Sequence, residues 1–97
     1  MTSKQRAYLK SIAQTMDPIF QVGKNGVTPE LTEAIGEALG VREMIKISVL
    51  NNCLEDPKDI CAVLSERTNC IPVQVIGKKI VLYKAAKKNP KIKLPLK

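Results

Sequence analysis

The chain has 97 residues, enough for one compact domain with a core that needs no disulfides, and too few for two domains. An apolar content of 44% with only 3% aromatics predicts a folded protein with an aliphatic core. The net charge of +7 points to a polyanionic partner, and the absence of histidine removes the commonest general base and metal ligand.

Thr2 to Gln5 reads as a capping box. Tyr8, Leu9, Ile12, Ala13 and Met16 then recur at helical spacing, which leaves Lys4, Arg6 and Lys10 for solvent. Asp17-Pro18 is expected to end this first helix, and Pro18 to Val22 reads as a short strand. The chain next enters Gly23-Lys24-Asn25-Gly26. Behind that loop, Thr28 has the character of an N-cap, Pro29 suits a first helical position, and Glu30 complements the positive end of a helix dipole. Asn-Gly is also a strong hairpin signal, but the helical pattern downstream fits a plain hairpin poorly. Leu31, Ala34, Ile35, Ala38 and Leu39 make the apolar stripe of a second helix, with Gly40 as its expected stop.

Met44 to Leu50 reads as a strand, with Lys46 and Ser48 on its expected open face. Asp56-Pro57 opens a third helix, Ile60, Val63 and Leu64 form its stripe, and Asn69 is the expected stop. Ile71 to Ile76 and Lys79 to Tyr83 read as strands joined by a tight turn at Gly77-Lys78, and Pro72 assigns the first of them to an edge. The order αβαβαββ predicts an α/β two-layer sandwich with a four-stranded mixed sheet, its early strands parallel and its last one antiparallel. Residues 1–84 are read as a single domain, and residues 85–97 as a basic tail with five lysines and two prolines, expected to be mobile.

Charge is segregated along the chain. Residues 1–16 carry three cations and no acid, residues 17–66 hold all nine acids against four cations, and residues 67–97 carry nine cations and no acid. If the two ends converge in space, they build a positive face able to release counterions from a polyphosphate. The glycine loop adds a local device, because a backbone without side chains, running into a helix N-terminus, admits a phosphate closely.

Cys53, Cys61 and Cys70 form no CxxC pair, so they read as reduced core or boundary thiols, and neither a metal site nor a cofactor is expected. Catalysis is not expected either: no Walker loop or paired-carboxylate pattern is present, and no base would activate a cysteine. No segment reads as a transmembrane span or targeting leader, so a cytoplasmic protein, monomeric and without a small-molecule substrate, is expected.

The opening Thr2-x-Lys4-Gln5-Arg6-x-x-Leu9-Lys10, the Gly23–Gly26 loop, Arg42-Glu43-Met44-Ile45-Lys46-Ile47, and the run from Val75 to Lys84 occur in order. In this they resemble the CRM domain (chloroplast RNA splicing and ribosome maturation), in its stand-alone bacterial YhbY form, across residues 2–84. Met44 stands where a leucine is more usual. The resemblance implies a fold related to the C-terminal domain of translation initiation factor three. It also implies RNA binding through the GxxG loop and association with precursors of the large ribosomal subunit.

Carried onto this chain, the resemblance implies that Gly23, Lys24, Asn25 and Gly26 contact RNA and that Lys4, Arg6 and Lys10 extend the surface. Lys78, Lys79, Lys84, Lys87 and Lys88 are read as holding the strand further along, with Arg42 and Lys46 as secondary candidates equally explained as solvated positions. So few aromatics leave no stacking platform, so recognition is expected to rest on backbone and shape. The competing reading is a protein-interaction module, distinguished by a weak response to salt; a duplex-DNA binder ranks lower.

Overall fold

This structure, a computed structural model, describes residues 1–86 and Ile92. The elements are α1 (Ser3–Ala13), β1 (Phe20–Val22), α2 (Pro29–Arg42), β2 (Met44–Val49), α3 (Pro57–Thr68), β3 (Ile71–Ile76) and β4 (Lys79–Tyr83). The expected order therefore holds, and every helix starts where its cap dictates. Thr2 and Gln5 close a reciprocal capping box, with the Gln5 amide donating to Thr2 Oγ1 at 3.1 Å and the Thr2 amide to Gln5 Oε1 at 3.0 Å. Thr28 Oγ1 accepts from the Leu31 amide at 3.1 Å, and Asp56 Oδ1 from the Lys58 amide at 2.8 Å. Each such cap is worth about 1 kcal/mol.

The helix ends follow tertiary contacts more than local signals. α1 stops at Ala13, short of Asp17-Pro18, because the Met16 amide turns back to the Ala13 carbonyl at 3.1 Å. Lys46 Nζ then donates to the carbonyls of Ala13 and Met16 at 3.1 and 3.2 Å, closing the helix terminus from β2. α2 runs through Gly40 and ends only at Glu43, whose φ of 66° reverses the chain into β2. There the Glu43 carbonyl accepts the Lys84 amide at 2.7 Å, a contact from outside the helix that fixes its stopping point. α3 ends as expected, at Asn69 in the left-handed region with φ 55°.

The sheet order is β1-β2-β4-β3, with β1 parallel to β2 and the other neighbours antiparallel. β4 is thus inserted between β2 and β3, so β3 becomes an edge, where Pro72 lacks no ladder partner and a bulge separates Pro72 from Gln74. Gly77 turns the hairpin with φ 55°. One sheet face carries Val22, Ile45, Ile47, Val49, Ile80 and Leu82, and packs on Ile35 and Leu39 of α2 and Ile60, Cys61 and Leu64 of α3. This is the aliphatic sandwich. Strand alternation puts Met44, Val81 and Tyr83 on the other face, where Leu9 and Ala13 of α1, Val73 and, at its margin, Ile92 pack against them. α1 therefore lies across the sheet from α2 and α3.

Candidate nucleic-acid interface

β1 and β2 end side by side, Val22 opposite Val49, and β4 begins beside them with Lys79 opposite Ser48. Three connections consequently share one rim of the sheet: the Gly23–Gly26 loop, residues 50–56, and the Gly77-Lys78 turn. The first is a closed turn, with the Gly26 amide donating to the Gly23 carbonyl at 3.0 Å. Neither central residue takes a positive φ, which makes it a type I reversal rather than the primed turn of an Asn-Gly hairpin. Gly26 sits at the fourth position with φ 64°, where type I turns favour glycine. Lys24 and Asn25 are both exposed at its tip.

Pro29 brings no amide to the start of α2, and the Leu31 amide is spent on Thr28. The helix accordingly offers the loop its dipole more than a cluster of free donors. The Glu55 carboxylate lies against Gly26, and Asn52 beside Gly23. Lys78 Nζ donates to Asn51 Oδ1 at 2.7 Å, which ties the hairpin tip to the middle connection. Leu54 in that connection is 98% exposed, so it contributes nothing to the core. Asn51 and Asn52 had no motif to single them out; their only sequence signal was an uncharged polar pair between a strand and a helix.

The structure gathers some of the expected cations and disperses others. Lys24 and Lys78 stand on the rim, and Lys79 lies just inside it on the α1 side, its Nζ donating to Ser48 Oγ at 2.9 Å. Lys4 and Lys10 are exposed on α1. Arg6 is half-buried, and its guanidinium donates to the carbonyls of Pro72 and Val73 at the β3 bulge, the latter at 3.3 Å, anchoring the start of α1. Lys84 lies at the opposite end of the sheet with its Nζ on the Thr68 carbonyl at 3.1 Å, closing α3. Lys46 does share a face with Ser48, but there the α1 carbonyls take its Nζ, while Arg42 is exposed at the end of α2 opposite the loop. Lys87 and Lys88 lie outside the described residues.

Burial pushes the Cys61 thiol above its ordinary value, and burial followed by the nearby Glu43 carboxylate does the same to the Tyr83 phenol. Among the described residues no group of three His, Cys, Asp or Glu side chains is placed to hold a metal, and no helix is long and apolar enough to cross a membrane.

Comparison with known proteins converges on one family. The CRS1/YhbY (CRM) domain matches residues 1–84. The chain is 48% identical over 95 residues to "Probable RNA-binding protein YqeI" of Bacillus subtilis, covering 98% of this chain and 99% of that protein. It is 33% identical over 97 residues to a Haemophilus influenzae protein named "RNA-binding protein", covering 100% and 97%. The solution structure of Staphylococcus aureus SAV1595 superposes with a TM-score of 0.82 at 45% identity, covering 98% of this chain and 99% of that one. The match over residues 1–84 and the full-length similarity to these relatives agree: the chain belongs to the CRS1/YhbY (CRM) domain family.

Proposed function

We propose that this protein binds RNA through the Gly23–Gly26 loop and the basic surface beside it, and acts in the cytoplasm as an assembly factor on ribosomal RNA of the large-subunit precursor. The observation that carries the reading is the type I turn that lifts Lys24 and Asn25 into solvent on the same rim as Lys78. Lys24 meets a phosphate, Asn25 hydrogen-bonds a sugar or phosphate, and the glycines let the strand come close. The RNA-binding names of the relatives support the ligand class, and the resemblance to stand-alone bacterial members supports ribosomal RNA within it. The protein works by binding, as a monomer, with no catalytic step.

The test is RNA affinity across a salt series for wild type and the Lys24→Asp/Asn25→Asp variant, using large-subunit ribosomal RNA fragments with duplex DNA as control. Both side chains are exposed, so the variant folds with little loss of stability. Expected is steep, salt-sensitive binding to RNA in the wild type, lost in the variant. A folded variant that still binds normally would move the interface away from the loop.

A further inference from the structure

α1 covers only part of its sheet face. Lys46 of β2 closes the α1 terminus, and two residues further along the strand, on the same face, α1 and the other described residues leave the sheet open. There, one register row crosses all four strands: Gln21 of β1 opposite Ser48 of β2, Ser48 opposite Lys79 of β4, and Lys79 opposite Ile76 of β3. Gln21 and Lys79 are exposed, and Ile76 is 61% exposed. At roughly 4.8 Å between strands the row spans about 14 Å, room for a short run of nucleotides. It is bounded below by the end of α1 and above by the rim, and Gln21 is only two residues from Gly23.

We infer that this row is a second RNA-contacting surface, one that reads ribose and base edges of a single strand leaving the glycine loop. The inference rests on the RNA reading above and extends it from phosphate contact to discrimination. Charge selects the occupant. α1 carries three cations and no acid, whereas across the sheet α2 and α3 set exposed Glu30, Glu33, Glu37, Asp59 and Glu66 against Arg42, Lys58 and Arg67, a net charge of −2. A polyanion is therefore drawn to the α1 side. Chemistry then assigns the roles. Lys79, held by Ser48, supplies the phosphate contact; the Gln21 amide and Ser48 hydroxyl supply neutral donors and acceptors that match a ribose 2′-hydroxyl; Ile76 gives a base an apolar contact without stacking.

The experiment compares a 12-nucleotide single-stranded RNA with DNA of the same sequence on the full chain. Gln21→Ala/Ser48→Ala is expected to lose about tenfold in RNA affinity, with the salt slope unchanged because no charge is removed, and to bind the DNA as the wild type does. The ratio of RNA to DNA affinity then collapses. Gln21→Ala alone, at an exposed edge position, gives a several-fold loss with no risk to the fold. Lys79→Ala lowers the salt slope by about 0.7. If the row variants keep wild-type RNA affinity and ratio while the loop variant loses binding, this inference is overturned, the loop reading stands, and the row is left for a protein partner. If the wild type binds neither nucleic acid at low salt, the reading beneath it has failed as well.

Discussion

At the scale of single residues, the two glycines of the loop have different jobs. Gly26 holds φ 64°, and a Cβ there would run into the Glu55 carboxylate; Gly23 has ordinary φ, and a Cβ would meet Asn52 Oδ1 no closer than 3.5 Å. Glu55 can swing aside, but the backbone strain remains. Gly26→Ala is expected to cost about 1–2 kcal/mol, and Gly23→Ala less than about 1 kcal/mol, by thermal or urea denaturation. Equal costs would mean that the turn is not of the form described. If Gly23→Ala keeps stability yet weakens RNA, the first glycine serves close approach and the second serves the backbone. The sequence displayed the pair but could not separate them, because a positive φ depends on how the turn is closed. The same limit applied to Arg6, Lys46 and Lys84. Each reads as a surface cation until the fold brings the Pro72, Ala13 or Thr68 carbonyl beside it from 16 to 66 residues away.

At the scale of elements, every helix start was legible, but of the helix stops only Asn69 was. Thr2, Thr28 and Asp56 act on amides two or three residues ahead, so the information lies within one turn of chain. A stop depends on what receives the chain afterwards. Gly40 looks like a C-terminal glycine, yet it is helical, and the reversal falls on Glu43, where Lys84, just beyond β4, supplies its amide. Gly40 thus bears the entropic cost of glycine in a helix without using its freedom. Nothing lies within 4 Å of a Cβ built there. Gly40→Ala is expected to stabilise the domain by roughly 0.5–1 kcal/mol, raising the thermal midpoint with no change in RNA affinity. A loss of stability would show that the helix really breaks at Gly40. Strand order followed the same logic: the mixed sheet and edge position of β3 were readable from Pro72 and the turn, but which face α1 would cover was not. Its apolar stripe matches either side of the sheet, and only the register that puts Met44, Val81 and Tyr83 on one face leaves a second apolar patch to receive it.

At the scale of the whole molecule, the sheet acts as a partition between charges. Along the chain, the acids occupy the middle and the cations the ends; in space, α2 and α3 on one face carry a net −2, Arg42, Lys58 and Arg67 offsetting part of their acids, while the N-terminal cations ride on α1 on the other. Net charge alone would let RNA respond to any change equally. A partition predicts asymmetry, because at physiological salt the Debye length of about 8 Å is shorter than a path through a helix layer and the sheet. Lys4→Glu/Lys10→Glu and Glu33→Lys/Glu37→Lys change the net charge by the same amount in opposite senses, all at exposed positions. The first pair is expected to weaken RNA binding more than tenfold near 150 mM salt and to reduce the salt slope by about 1.4. The second pair is expected to shift affinity less than about threefold, since its charges are screened from a strand on the far side. Equal and opposite responses, measured on the same RNA at the same salt, would mean that the partition steers nothing and that total charge governs the encounter. The asymmetric outcome would orient the bound strand on the α1 side, which the loop variant alone cannot do, because the rim borders both faces.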